Sequence, residues 1–127
     1  MKLSGGQMQA LSRAAEKSFE DRMFAHVSKH FQKRCSRLGE EGVREWIRHG
    51  MDRARSYDIV SERDVCKYID VMFVYGRDYD TSPKHPWAGK VLNDPRRMSP
   101  TARANRLVAA GKLNARRAGG LGGWKRR

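Results

Sequence analysis

The chain has no apolar run approaching the ~20 residues that a membrane-spanning helix needs. It has two cysteines, Cys35 and Cys66, and no C-x-x-C pair that would announce a zinc or redox site. H-E-x-x-H and G-x-S-x-G are absent, which removes the usual metalloprotease and serine-hydrolase signatures. The glycine-rich stretch GGLGG at 119–123 lacks the Lys-Ser/Thr that would make it a phosphate-binding loop. The N-terminus, MKLSGGQMQALSRAAEKSFEDR, has no apolar core or cleavage site of a secretory signal. A cytoplasmic location with reduced thiols is therefore expected.

Acid is absent from one region in particular. Residues 95–127 hold ten of the 27 Lys/Arg and no Asp or Glu, whereas residues 1–94 hold the other 17 together with all 14 acids. Most of the formal +13 thus belongs to the last quarter of the chain. A mildly basic body with a strongly basic end is expected, divided into a domain over 1–94 and an extension over 95–127. At 127 residues and a mean hydropathy of −0.82, the body is one domain with a modest core.

The apolar residues that are present recur at helical spacing. Met8, Leu11, Ala15, Phe19, Met23, Val27 and Phe31 fall on one face of a helix expected from Gln7 to Cys35. Gly39 reads as a break, followed by a helix from Glu40 to Ser56 with Val43, Trp46, Ile47, Gly50, Met51 and Ala54 inward. Gly50, costly in a helix interior, points to a close approach of a second helix, with a functional kink as the alternative. Ser61 with Asp64 resembles a capping pair and opens a third helix that Gly76 ends. Val65, Tyr68, Ile69, Met72 and Phe73 form its buried stripe, with Lys67 and Asp70 expected to face solvent. A helical turn over Ala88–Asn93 and a short helix over Thr101–Leu113, capped by Ser99-Pro100, are expected next. From Ala115 the glycine- and arginine-rich end predicts a flexible tail. No segment alternates as a strand, so the predicted class is all-α: a small bundle of three main helices, a structured loop, a short C-terminal helix and the basic tail.

Chemistry-bearing residues collect in two places. His26 and His30, four apart on the first helix, could share a metal, but local spacing supplies no further ligands. The loop GRDYDTSPKHPWAG over residues 76–89 carries Asp78 and Asp80. An EF-hand would need more acids, a glycine and a closing glutamate. The simpler expectation is that both aspartates accept backbone N–H bonds in turns. No cofactor, no metal and no catalytic activity is expected. The loop then reads as a shaped surface on which Tyr57, Asp78, Tyr79, Asp80 and Trp87 meet a partner, while Trp46 packs in the core. Arg96, Arg97, Arg103, Arg106, Arg116 and Arg117, with Trp124, would add a basic face for an acidic protein, or alternatively for nucleic acid phosphates and bases.

From Tyr57 to Ala88 the chain reads YDIVSERDVCKYIDVMFVYGRDYDTSPKHPWA. Its Ser61-Glu62 cap, Asp64-Val65, Tyr68-Ile69-Asp70, Met72-Phe73, Gly76, Asp78-Tyr79-Asp80, Pro83 and Pro86-Trp87-Ala88 carry a resemblance. So do Phe19-Glu20-Asp21-Arg22 with His26, and Arg44, Ile47, Arg48 and Gly50. These positions resemble a family of small helical proteins of proteobacteria, many coded beside VgrG, PAAR and effector genes of type VI secretion clusters. The likeness covers roughly residues 7–107 and brings no catalytic motif. It implies an accessory protein, an adaptor or chaperone that holds an effector or helps load it onto the spike.

Overall fold

A computed structural model describes residues 5–118, with side chains from residue 13 onward. Among these residues the chain is all-helical: α1 (Gly5–His30), α2 (Gln32–Ser56), α3 (Glu62–Tyr75), α4 (Pro86–Leu92) and α5 (Pro100–Arg117). No helix among them is long and apolar enough to cross a membrane.

The periodicity of α1 is realised from Phe19 onward. Phe19, Met23, Val27 and Phe31 are buried, whereas Ala15, expected on the same face, is exposed. Met8 and Leu11 lie outside the residues whose side chains are described. The helix stops at His30 rather than running to Cys35, because Phe31 leaves helical geometry (φ −131°, ψ 53°). No glycine or proline causes this. The Phe31 ring is buried against Phe73, and Arg34, just beyond the break, donates to the Phe73 and Val74 carbonyls at 3.1 Å each. Those carbonyls lie in the last turn of α3, where helix geometry leaves acceptors unused. Tertiary contacts therefore decide the break.

Gly39 (φ +72°, ψ 168°) interrupts α2 where a break is expected, and the longer part of the helix follows it. Its buried face is Val43, Ile47, Gly50, Met51 and Ala54. Trp46 is half-buried, with its ring 5.3 Å from Phe73 and the Arg34 guanidinium 5.2 Å from its face.

The Ser61 hydroxyl accepts from the Asp64 N–H, and the Gly76 N–H closes on the Met72 carbonyl, so α3 begins and ends as expected. Two side chains on it depart from expectation. Asp70, expected outside, is 9% exposed and bonded to His26. Lys67 is half-buried and donates to Asn105 Oδ1 at 2.7 Å and Asp64 Oδ1 at 3.4 Å. The carboxylate of Asp64 does not serve the cap alone. Its Oδ2 accepts from the Thr101 hydroxyl at 2.6 Å, tying α3 to α5.

The turn expected over Ala88–Asn93 starts two residues earlier, at Pro86 in the first helical position. Ser99 caps α5 through the Ala102 N–H at 3.0 Å, again with proline next. This helix continues past Leu113 to Arg117, with Leu107 and Ala115 buried, and the Tyr75 hydroxyl donates to the Gly111 carbonyl at 2.6 Å. Leu107 shares one continuous core with α1, α2 and α3. The tail expected from Ala115 is thus helical to Arg117, and the rest of it lies outside the described residues.

Candidate functional site

Gly76 (φ +125°) turns the chain out of α3, and short backbone bonds such as Thr81 N–H to Asp78 C=O at 3.2 Å fold the loop over residues 76–89 back on itself. Within it the two aspartates part company. Asp78 is exposed, with Arg77 Nη1 at 3.4 Å and His49 Nε2 at 3.1 Å, the latter off hydrogen-bond direction. Asp80 is 4% exposed and receives Arg53 through Nε at 2.9 Å and Nη2 at 2.6 Å, and the Tyr57 hydroxyl at 2.8 Å. The expected backbone N–H donors are replaced by side chains from α2 and its end. Burial pushes the Tyr57 hydroxyl up in pKa, and the Asp80 carboxylate beside it adds to this.

The aromatic residues of the loop stack on α3. Tyr79 is 1% exposed, with its ring 5.2 Å from Tyr68 and its hydroxyl donating to the Tyr68 carbonyl at 3.3 Å. Trp87 is half-buried between Tyr75 (4.9 Å) and Tyr79 (6.4 Å). Tyr57, half-buried, lies 6.2 Å from Tyr68. Tyr79 and Asp80 therefore belong to the interior. Tyr57, Asp78 and Trp87 keep surface that a partner could reach.

The basic residues beyond residue 94 are arranged differently. Arg96 folds onto Asp94, donating through Nη2 at 2.6 Å, and the pair holds the Asp94 carboxyl well below its usual range. Arg103 is half-buried, and its Nη1 donates to the Tyr57 carbonyl at 3.4 Å. Arg97, Arg106, Arg116 and Arg117 are exposed and form no ion pair among the described residues. Trp124 lies outside the described residues. Elsewhere several arginines are compensated, Arg22 by Glu62, Arg44 by Glu20 and Asp21, Arg55 by Glu16 and Arg77 by Glu45, while Arg37 and Arg63 stand exposed as single charges without an ion pair among the described residues. The outer side of α5 and its approach thus carry positive charge that the fold does not neutralise.

A third arrangement joins α1 to α3. Along α1 stand Arg22, His26 and His30; facing them along α3 stand Glu62, Cys66 and Asp70, each set in steps of four. Arg22 makes a two-pronged pair with Glu62 at 2.8 Å per bond, and His26 Nε2 lies 2.8 Å from Asp70 Oδ1. Cys66 joins this group, the ligand atoms of His26, Cys66 and Asp70 all lying within 4.8 Å of one another. The hydrogen bond to Asp70, followed by that to Cys66, pushes the His26 imidazole up to about 10, against partial burial. Spacing along the first helix alone offers His26 and His30. The matching C-x-x-x-D on the third helix, Cys66 and Asp70, is the signal that pairs with it.

Comparison of the chain with protein-family models, curated proteins and solved structures finds no match.

Proposed function

We propose that the chain is a non-enzymatic adaptor or chaperone that holds an acidic protein surface against the outer side of α5 and the neighbouring loop. The observation that carries this reading is the set of exposed, unneutralised arginines, Arg97, Arg106, Arg116 and Arg117, on and before a helix fixed to the core. Charges on a rigid helix steer association and fix orientation with less loss of freedom than charges on a loose segment. Tyr57 and Trp87 supply half-buried aromatic surface beside the loop, the side-chain type that anchors interfaces. The basic end after residue 118 would extend the same attraction.

The class of partner follows from the resemblance of residues 57–88. In that setting the partner is a type VI secretion effector or a VgrG- or PAAR-type spike component, bound in the cytoplasm before loading. The test is copurification of the tagged chain with the products of genes coded beside its own. Recovery of an effector or spike protein supports the reading, and a chain that emerges alone from every such experiment counts against it.

A regulator or antitoxin that binds nucleic acid is the second reading. It is favoured by the run of ten Lys/Arg without acid over 95–127, together with Trp124 as a stacking group. It requires a salt-sensitive mobility shift of DNA or RNA, and no shift at low salt would end it.

A further inference from the structure

The geometry points to a zinc site between α1 and α3, built from His26, Cys66 and Asp70 and completed by His30. It is independent of the partner-binding reading, since it lies on different elements from the α5 face.

Three donor atoms of different kinds, an imidazole nitrogen, a thiol sulfur and a carboxylate oxygen, converge within 4.8 Å of one another. They come from two facing helices, and on each helix the ligating pair is spaced by four: His26 with His30, Cys66 with Asp70. That spacing puts both members of a pair on one side of a helix, so two facing pairs can enclose one ion. His30 lies one turn beyond His26, with ring centroids 4.7 Å apart. His30 is therefore the candidate for the fourth ligand, although it is not among the three whose donor atoms already converge.

The donor set selects the ion. Thiolate with imidazole suits zinc and its borderline-soft neighbours, whereas magnesium and calcium take oxygen ligands. Charge also closes once the ion has displaced the protons of its ligands: a thiolate and a carboxylate then neutralise a divalent cation and the imidazoles bind neutral, so a partly buried site carries no net charge. Zinc–ligand bonds of ~2.0–2.3 Å in a tetrahedron place neighbouring donors ~3.3–3.6 Å apart. The 2.8 Å from His26 Nε2 to Asp70 Oδ1 must therefore open by roughly half an ångström, which side-chain torsions supply without moving a helix. His26 and Cys66 are half-buried and Asp70 is buried, so the site has an open side for entry and a dry floor.

Cobalt(II) reports the site directly, because a bound thiolate gives sulfur-to-cobalt charge-transfer absorption and tetrahedral geometry gives strong visible bands. The full chain, reduced and metal-free, is titrated with cobalt and then with zinc. One cobalt per chain is expected, with a charge-transfer band that zinc abolishes. The band is expected to survive in Cys35→Ser, the chain's other thiol, and to disappear in Cys66→Ser. His26→Ala and Asp70→Asn are expected to weaken cobalt binding tenfold or more, with helicity followed by circular dichroism. No charge-transfer band in the wild-type chain overturns the proposal, whatever the variants do. So does a band that persists in Cys66→Ser or vanishes in Cys35→Ser.

Discussion

Arg53 on α2 and Asp80 in the loop after α3 are bound through two guanidinium nitrogens to a single carboxylate oxygen, Nε at 2.9 Å and Nη2 at 2.6 Å from Oδ2. The Tyr57 hydroxyl completes the contact, accepting from Arg53 at 3.2 Å and donating to the same oxygen. The other oxygen, Oδ1, is buried and has no partner among the described residues. Asp80 is the buried member and Arg53 the partly exposed one, with 36% of its side chain accessible. The two residues are therefore not equivalent under mutation.

Removing Arg53 leaves a carboxylate buried without its counter-charge, whereas removing the carboxylate lets the guanidinium turn to water. Breaking a buried pair from the side that strands the charge costs about 3–5 kcal/mol. Arg53→Ala is expected near the lower end, because its own exposure weakens the pair, and Asp80→Asn is expected to cost less. Tyr57→Phe should cost about 1 kcal/mol, the worth of one hydrogen bond. Urea unfolding of the three variants checks the ranking. Asp80→Asn proving the most damaging would refute the argument.

Gly50 faces α3 where a side chain would collide. A Cβ there would stand 2.8 Å from Ile69 Cγ1 and 2.9 Å from Met72 Cε. Alanine gains about 1 kcal/mol in a helix interior, and overpacking costs about 1–3 kcal/mol. The end of Met72 can swing aside. Ile69 Cγ1 cannot move as easily, since it sits next to a branched Cβ in a buried stripe. Gly50→Ala is expected to destabilise by about 1 kcal/mol in thermal or urea melts. A variant more stable than the parent would mean that the two helices separate at little cost.

The sequence features that were legible are those set by one helix at a time. The buried run Phe19, Met23, Val27 and Phe31, the Ser61 and Ser99 caps, the break at Gly39 and the Gly76 stop all follow from spacing or from backbone chemistry. What could not be read is set by two elements meeting. Asp70 looks like a polar flank until His26 faces it from α1, and Asp80 looks like a turn cap until Arg53 reaches it from α2. The break at Phe31 has no local cause, because Phe73 and the α3 carbonyls that hold it are distant in sequence. α5 outruns its expected end because Ala115 is buried and the Gly111 carbonyl accepts from Tyr75, neither of which its composition announces.

Acid should loosen α5 from α3 through Asp64. Burial pushes its carboxyl pKa up, but donors from Thr101, Ser61 and Lys67 outweigh this and leave it below the ordinary value. A carboxyl depressed in the folded state adds stability above its unfolded pKa of about 3.9, and that stability is lost as pH falls through the lower folded value. The loss from this group therefore lies below about pH 4. Asp64→Asn is expected to be less stable than the parent at pH 7, with the gap narrowing toward pH 3. Urea melts at both values measure it, and a gap of constant width would assign the stabilisation to Asp64 hydrogen bonds that do not depend on charge.

Deleting residues 95–127 would remove Leu107 from the core along with the basic charges, so it cannot separate folding from binding. Charge reversal at the exposed positions can. Arg106→Glu, Arg116→Glu and Arg117→Glu touch side chains that make no ion pair or hydrogen bond among the described residues, and surface changes of this kind stay within about 0.5 kcal/mol of the parent each. The triple variant is expected to melt within a few degrees of the parent and to lose capture of an acidic partner. The parent's capture should weaken between low and physiological salt, since exposed charges are screened over about 8–10 Å. Undiminished capture by the triple variant would move the interface away from α5, toward the half-buried Tyr57 and Trp87. A mobility shift of nucleic acid that the same three substitutions abolish, without any protein captured, would make the basic face a phosphate-binding surface instead.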